Sequence, residues 1–357
     1  MRTTAKVLLL LVLVPLVISG CGENTRPGTS RVMPDPKHPG RYRCFFEAMN
    51  TDGAIQVAAP DIKSAREMIS RAVDRLRMCE RRMNMFRPQS ELSRLNKQGA
   101  SRPVKLSPLT LEVLREARRM NRLTDGTFDV TYAPLRALWQ RAQERERPPT
   151  PGEIQDVLGR VGTDKLVLTG STARFEVKGM RVDLGGIAKG FAIDEIVATL
   201  EEAGAQSALV DIGGDIRLLG QRGDGEEWKI QVRDPRPGDH SPIMLRLADV
   251  AVATSGDYAR FFRIGDEKFS HIIDPRTGRP TRRVFSTTVV APRALTADAL
   301  ATAVSVLGPN RALKLINGLP EVECMIMTHG DKKSEGPGRL QFSRGWNTLV
   351  ESGDEDE

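Results

Sequence analysis

The chain has 357 residues, of which 39% are hydrophobic and 28% charged, a composition that suits a globular protein with a sizeable core. The formal net charge is +7 and aromatic residues make up 5%. The arginines of the segment 114–123 lie beside apolar residues at helical spacing, and no base-reading motif is present, which argues against a nucleic-acid-binding protein. The four cysteines form no CxxC pair, which argues against a thiolate metal site.

The first twenty residues have the layout of a signal peptide. Arg2 and Lys6 precede an apolar run over 7–17, and small residues follow. The end of this segment, Ile18-Ser19-Gly20-Cys21, resembles the bacterial lipobox. We therefore expect a lipoprotein signal over 1–20 and acylation of Cys21, the alternative being a plain cleaved signal peptide. This predicts a bacterial cell-envelope protein, lipid-anchored and facing the periplasm or the outside.

Residues 21–40 are rich in proline, glycine and polar residues, which predicts a flexible tether. The segment 41–57 indicates a strand, a turn at Asp52-Gly53 and a second strand. Helices are predicted at 61–83, with Asp61 near the start, at 108–123, at 133–143 and from about Glu153. Further helices are predicted at 190–203, 297–307 and 309–317.

Strands are predicted over much of the second half: 165–168, 175–177, 181–184, 207–212, 216–219, 228–233, 244–247, 251–255, 259–264, 269–273, 287–291 and 323–328. Many of them form hairpin-like pairs, which favours an α+β fold with mainly antiparallel sheets and packed helices. We expect one compact catalytic unit over 41–350 and an acidic tail at 351–357.

The first candidate for a functional site is the segment 182–190, Val-Asp-Leu-Gly-Gly-Ile-Ala-Lys-Gly. A predicted strand ends at Asp183, glycines follow, and a helix begins near Lys189. A helix start offers free N–H groups to an anion, and the lysine adds positive charge. The structural alternative is a glycine turn that leads into an ordinary helix.

A second candidate pair lies on the predicted helix after Thr296. Asp298 and Thr302 are four residues apart and therefore share one helix face. A carboxylate and a hydroxyl suit Mg²⁺, which prefers hard oxygen ligands. Alternatively, Thr296 or Asp298 is the N-cap of the helix.

Four weaker candidates remain. His271 lies in a predicted strand that runs into the turn Asp274-Pro275-Arg276-Thr277-Gly278, where it could orient or deprotonate a nucleophile. The Gly126–Asp129 segment could be a C-cap and turn. Ser90-Glu91 could be a helix start. Gly213-Gly214-Asp215 is interpreted as a tight turn.

Taken together, these motifs resemble the ApbE family, the FAD:protein FMN transferases. The resemblance runs from about residue 45 to 346. It is carried by Met49-Asn50-Thr51, FRPQSELSRLN (86–96), GTFDVTYAPLRALW (126–139), VDLGGIAKGFAID (182–194), LVDIGGDI (209–216), SHIIDPRTGRP (270–280) and TADALATAVSVLG (296–308).

The resemblance implies an ApbE-like, T-fold-related architecture and a set of roles. The side chains of Asp298 and Thr302 and the backbone carbonyl of Gly186 would ligate Mg²⁺, and His271 or Asp298 would act in catalysis. The family's FAD-contacting positions correspond to Met49, Phe86, Thr127, Phe128, Asp129, Asp183, Lys189 and Ile272.

The activity implied is transfer of FMN from FAD to a threonine or serine hydroxyl of an acceptor protein, with release of AMP. The expected partners are flavin-acceptor subunits of membrane redox complexes. An FAD pyrophosphatase that uses water as nucleophile is the close alternative, and a non-enzymatic FAD-binding lipoprotein is the other. The metal pair favours an enzyme, because a pure binder would not need it.

Overall fold

The computed structural model describes residues 31–232, 242–256, 261–330 and 337–351. The predicted signal peptide, Cys21 and most of the predicted acidic tail lie outside these residues. Within the described part of the chain, no helix is both long and apolar enough to cross a membrane.

The strands, in chain order, are β1 (Val32–Pro34), β2 (Arg41–Ala48), β3 (Thr51–Ala58), β4 (Val104–Lys105), β5 (Leu166–Thr169), β6 (Thr172–Phe175), β7 (Ala208–Ile212), β8 (Asp215–Leu219), β9 (Trp228–Val232), β10 (Ile243–Leu247), β11 (Ala251–Gly256), β12 (Phe261–Ile264), β13 (Glu267–Ser270), β14 (Ile273–Asp274), β15 (Arg279–Pro280), β16 (Val284–Ala291), β17 (Glu323–His329) and β18 (Pro337–Phe342). The helices are α1 (Ile62–Met83), α2 (Glu91–Gln98), α3 (Pro108–Leu123), α4 (Ala133–Glu144), α5 (Pro151–Leu158), α6 (Ala188–Glu202), α7 (Ala294–Leu307) and α8 (Pro309–Ile316).

A nine-stranded sheet organises the fold, in the order β1-β2-β3-β7-β8-β11-β16-β17-β18. Its neighbouring strands pair antiparallel. The prediction of an α+β fold with mainly antiparallel pairing is therefore confirmed.

Three hydrophobic clusters stabilise the structure. The largest lies between one face of the sheet and helices α1, α6 and α7. A second covers the other face, where the β9–β10 hairpin and Trp346 pack on the sheet. The third joins α4 and α5 to the β12–β13 hairpin. The site described below lies at the border of the largest cluster, where α6 and α7 meet.

The predicted helices at 61–83, 108–123 and 133–143 are confirmed as α1, α3 and α4. Asp61 is the N-cap of α1, because its carboxylate accepts a hydrogen bond from Ser64 N–H at 2.8 Å. Ser90 likewise caps α2. The Cys79 side chain on α1 is fully buried in the core, and this burial raises the pKa of its thiol to about 12.

The first hairpin turns at Met49-Asn50 and not at Asp52-Gly53, so that prediction was wrong. Ala48 pairs with Thr51, and both turn residues have positive φ, 52° and 62°, as a type I′ turn requires. Asparagine tolerates this conformation. Gly53 lies inside β3 instead, opposite Phe46, whose ring occupies the space that a Cβ would need: Cε2 would be 2.3 Å away.

The predicted strand at 181–184 is also wrong. Within the part of the chain that the structure describes, this segment pairs with no strand and forms one isolated bridge, from Arg181 to Tyr132. The Asn96 side chain takes the place of a neighbouring strand: its amide donates to Val182 O at 2.9 Å and accepts from Val182 N–H at 2.7 Å. Periodicity cannot reveal a side chain that mimics a peptide group.

Two other predictions need correction. The strand predicted at 269–273 is interrupted, since β13 ends at Ser270 and β14 begins at Ile273. Ile272 N–H turns back to Ser270 Oγ at 3.1 Å, which breaks the ladder. The tether predicted to reach residue 40 ends earlier, because β1 pairs with β2 at the sheet edge.

Candidate active site

The extended segment that ends at Asp183 is fixed by three elements. Asn96 holds Val182, and Asp183 N–H donates to Val130 O at 2.8 Å. The buried Asp183 carboxylate accepts from Gly185 N–H at 2.8 Å and from the Arg136 guanidinium of α4 at 2.5 Å. An acid–arginine pair therefore anchors the start of the segment 184–187, which we call the glycine loop.

Helix α7 begins earlier than expected, at Ala294. Its first N–H groups are capped from α6: the Asp194 carboxylate accepts from Ala294 N–H at 2.9 Å and from Leu295 N–H at 3.1 Å. The alternative in which Thr296 or Asp298 caps this helix is therefore wrong. Asp298 lies in the second turn and is buried, with 5% of its surface exposed.

Asp298 faces the start of α6. Its Oδ2 accepts a hydrogen bond from Gly190 N–H at 3.1 Å, the only hydrogen bond of this carboxylate within the described residues. Burial raises the pKa of the Asp298 carboxyl to about 7, and the negative charge of Asp215 adds to the increase.

Gly190 allows this approach. A Cβ on Gly190 would lie 2.2 Å from Ala294 O and 2.7 Å from Leu295 Cα, so the backbones of α6 and α7 touch here without a side chain between them. A larger residue would separate the two helices and move Asp298 away from the glycine loop.

The predicted metal ligands lie together. A Cβ on Gly186 would lie 3.1 Å from Thr302 Oγ1 and 3.4 Å from the Phe128 ring. The loop backbone at Gly186 therefore contacts the exposed end of the Asp298–Thr302 face. The Thr302 hydroxyl makes no hydrogen bond to any other part of the chain that the structure describes.

Lys189 lies in the first turn of α6 and is ion-paired with Asp215. Asp215 has only 2% of its surface exposed. Nearby Asp211 accepts from Gly214 N–H at 2.8 Å, and burial raises the pKa of its carboxyl to about 6, with a contribution from Asp215. The Gly213-Gly214-Asp215 segment is thus a turn, as interpreted, and it also places a buried charge beside the glycine loop.

Asp129 is a buried acceptor that organises its loop. Its carboxylate accepts from Thr131 N–H at 2.7 Å, from Thr163 Oγ1 at 2.7 Å and N–H at 3.0 Å, and from Asn121 Nδ2 at 3.1 Å. These bonds fix the Gly126–Asp129 loop, in which Thr127 and Phe128 are buried, and the Phe128 ring lies next to Gly186. A direct contact of Asp129 with a cofactor stays a prediction.

Two further predicted contact residues lie nearer the protein surface, Met49 half-buried and Phe86 exposed. Met49 N–H donates to Glu80 Oε1 at 2.9 Å, which stabilises its positive φ. Phe86 leaves 66% of its surface exposed, and the Arg136 guanidinium lies 5.6 Å from its ring centroid. An exposed ring beside an arginine offers a stacking surface.

His271 and Ile272 occupy the interruption between β13 and β14. His271 is half-buried and Ile272 buried. Ile272 O accepts from Thr281 N–H at 2.9 Å, which connects this segment to the end of the β14–β15 hairpin.

Two residues of the site were missed by the sequence reasoning, Arg136 and Asp215. Both act through tertiary ion pairs, with Asp183 and Lys189 respectively. Their only sequence signal was their position within the family-like stretches 126–139 and 209–216.

Among the described residues, the carboxylates of the site are not grouped with histidine or cysteine side chains that could bind the same metal ion. Within the described ranges, no group of three or more His, Cys, Asp or Glu side chains could hold a metal ion. The arrangement instead combines one buried carboxylate, one hydroxyl and a loop backbone with a helix start and a lysine. Such a set is typical of enzymes that bind phosphate groups through a hard cation and backbone N–H groups.

Comparison with known proteins identifies the family. The sequence model of the ApbE family matches residues 49–326. The FAD:protein FMN transferase of Vibrio cholerae is 40% identical over 236 residues, which cover 65% of this chain and 70% of that protein. The FAD:protein FMN transferase of Haemophilus influenzae is 36% identical over 244 residues, which cover 66% of this chain and 70% of that protein.

Solved structures agree. The flavin transferase ApbE from Vibrio cholerae superposes with a TM-score of 0.75 and 32% identity, over 87% of this chain and 99% of that one. The ApbE protein from Thermotoga maritima superposes with a TM-score of 0.78 and 29% identity, over 87% of this chain and 100% of that one. This chain belongs to the ApbE family.

Proposed function

We infer that this protein is an FAD:protein FMN transferase, an enzyme that moves FMN from FAD onto an acceptor protein. The observation that carries this conclusion is the meeting of three parts at one point: the glycine loop after Asp183, the start of α6 with Lys189, and the Asp298–Thr302 face of α7. A helix start and a lysine favour a phosphate group, while a buried carboxylate and a hydroxyl favour a divalent cation beside it.

The donor set fits Mg²⁺. Asp298 is a buried carboxylate with one hydrogen bond, and Thr302 Oγ1 lies close to the Gly186 backbone. With the Gly186 carbonyl they would offer three hard oxygen ligands, a number that leaves positions for phosphate oxygens and water. Bound there, the ion would neutralise charge on the FAD diphosphate and polarise the phosphorus–oxygen bond that breaks.

The substrate would extend from this point towards the rim. Lys189 and the first N–H groups of α6 would stabilise negative charge on the diphosphate. Phe128 and Ile272 supply apolar walls, and the exposed ring of Phe86 a stacking surface. The Arg136 guanidinium lies beside the Phe86 ring, and the Asp129 hydrogen bonds fix the loop that carries Phe128. Met49 and Thr127 complete the set of proposed contacts.

In the reaction, a threonine or serine hydroxyl of the acceptor attacks the phosphorus on the FMN side. A new oxygen–phosphorus bond forms, the bond to the AMP phosphate breaks, and AMP leaves. The hydroxyl proton goes to a base, for which His271 and Asp298 are the two candidates. FMN stays attached to the acceptor through a phosphoester.

The sequence supports a proposed location and a proposed class of partner. Acylation of Cys21 would anchor the enzyme at the bacterial envelope, beside flavin-acceptor subunits of membrane redox complexes that lie outside the cytoplasm. The β1 strand begins eleven residues after Cys21, so the tether would be short and would hold the enzyme near the membrane surface.

The test is incubation of the purified full-length chain with FAD, Mg²⁺ and a flavin-acceptor protein, followed by mass spectrometry of the acceptor and of the free nucleotides. We expect an FMN adduct together with AMP, and neither product when a chelator replaces Mg²⁺. Free FMN without an adduct would support a pyrophosphatase instead. Bound but unchanged FAD would support a non-enzymatic binding protein.

A further inference from the structure

A cavity of about 730 Å³ lies beside the proposed active site, between the β14–β15 hairpin, the end of α7 and the start of α8. Its walls include five arginines and one aspartate, a formal charge of +4. The arginines are Arg276, Arg279, Arg282, Arg283 and Arg311. We call this the arginine cavity.

Among the wall residues that the structure describes, most of this charge is not neutralised. The only acidic one of them, Asp274, is paired with Arg276 at 2.9 Å. Within the described ranges the other four arginines form no salt bridge, and all four are exposed. Arg282 lies over the Phe269 ring at 5.5 Å, and the Arg283 stem packs beside Gly308. Like charges gathered in this way repel one another unless an anion lies between them.

The backbone adds to the positive potential. The cavity is lined by Pro309, Asn310 and Arg311, the first residues of α8. The first turn of a helix carries unpaired N–H groups and the positive end of the helix dipole. Side chains and backbone thus favour an anionic occupant.

The arginine cavity shares Arg276 with a second cavity, and it shares helix α7 with the proposed active site. Arg276 also lines a second cavity, of about 510 Å³, whose walls include Gly126 and Asp129. A Cβ on Gly126 would lie 3.8 Å from the Arg276 side chain. The other wall is α7, on which Val306 lies one turn beyond Thr302, about 6 Å along the helix axis. A polypeptide that occupies the arginine cavity would therefore lie next to the metal-binding face.

We propose that the arginine cavity docks an acidic polypeptide segment of the acceptor protein and so places the acceptor hydroxyl at the reacting phosphorus; this rests on the proposed transferase function. Guanidinium groups pair with carboxylates through two parallel hydrogen bonds. An extended chain can follow a concave cavity, whereas the headgroups of a flat bilayer cannot. A peptide rather than a membrane surface is therefore the occupant.

The test measures binding alone, so that it does not depend on turnover. A fluorescein-labelled peptide with one threonine among glutamates is compared with a peptide that has glutamine in place of each glutamate. Fluorescence anisotropy is recorded with the full-length chain, with the double variant Arg279→Glu/Arg311→Glu, and with the control Lys63→Glu/Arg71→Glu. The control makes the same charge change on exposed residues of α1.

We expect the glutamate peptide to bind the wild-type chain and the control, and to bind the Arg279→Glu/Arg311→Glu variant about tenfold more weakly or worse. Equal binding of the two peptides, or equal loss in both variants, would overturn the proposal. So would charge-dependent binding to phosphatidylglycerol vesicles, relative to phosphatidylcholine, without any binding of the peptide. Circular dichroism confirms that each variant folds.

FAD binding to the same proteins, measured by flavin fluorescence, separates this proposal from the proposed function. Loss of peptide binding with unchanged FAD binding assigns the cavity to the acceptor. A wild-type chain that binds the acidic peptide at the cavity but forms no FMN adduct would refute the transferase activity and leave the docking site standing.

Discussion

The Asp298 carboxylate accepts a hydrogen bond from Gly190 N–H across the contact between α7 and α6. This bond joins the two helices that carry the proposed site at the position where their backbones touch. The Asp194 carboxylate of α6 makes the same connection one turn away, at Ala294 and Leu295. The position of the Asp298–Thr302 face is therefore set by α6 as much as by α7.

Replacement of Asp298 by Asn tests the metal assignment. The amide oxygen can still accept from Gly190 N–H, but the charge that would bind Mg²⁺ is lost. We expect Mg²⁺-dependent FMN transfer to fall by about a thousandfold, or about 4 kcal/mol in transition-state stabilisation, while the thermal unfolding midpoint stays close to that of the wild type. Full activity in Asp298→Asn would refute the assignment.

Replacement of Gly190 by Ala tests the helix contact. The added Cβ would lie 2.2 Å from Ala294 O, so the helices must separate, at a cost of about 1–3 kcal/mol in the free energy of unfolding. Denaturant unfolding measures this cost. Gly152→Ala is the matched control, because a Cβ there meets nothing within 4 Å. Similar effects of the two substitutions would contradict the close-contact explanation.

Arg136→Ala tests the anchor of the glycine loop. Without the guanidinium, the buried Asp183 carboxylate loses its ion-pair partner and keeps only the hydrogen bond from Gly185 N–H among the side-chain contacts described above. We expect a loss of about 1–3 kcal/mol in stability and weaker FAD binding by flavin fluorescence. Arg141→Ala, an exposed position on the same helix, serves as the control. Unchanged FAD binding in Arg136→Ala would show that the pair does not shape the substrate site.

Asp211→Asn tests, through pH, the half-buried carboxyl of β7 that accepts a hydrogen bond from Gly214 N–H. The pKa of Asp211 is raised to about 6, so the protonated carboxyl stabilises the fold below its unfolded-state pKa, and this contribution is lost as the pH rises through about 6. The asparagine variant can keep the Gly214 hydrogen bond without the charge. We expect its stability relative to the wild type to increase by about 1–3 kcal/mol from about pH 4 to about pH 8.

Urea unfolding at several pH values measures this difference. Asp156→Asn, which removes a highly exposed carboxylate of α5, is the control for loss of one surface charge. A difference between Asp211→Asn and the wild type that does not change with pH would refute the raised pKa.

Periodic features could be predicted from the sequence, and features that depend on tertiary contacts could not. Asp298 and Thr302 share a helix face whatever surrounds them, and α1 with its Asp61 cap follows from local chemistry. The pairs Lys189–Asp215 and Arg136–Asp183 join residues 26 and 47 positions apart, and no local sequence pattern predicts such pairs. Asp52-Gly53 has the composition of a turn, but the space beside Phe46 requires the glycine inside the strand.

The Asn96 side chain gives the glycine loop an attachment of a particular kind. A neighbouring strand would hold residues 181–184 through a continuous ladder of backbone hydrogen bonds. Here the Asn96 amide holds Val182, while Val130 O and the Arg136 guanidinium hold Asp183. A few separate hydrogen bonds can break and re-form without disturbing the large sheet. We expect amide hydrogen exchange at Val182 to be faster than in β7, which would identify this loop as the part of the core that can open by itself when a bulky substrate enters or its product leaves.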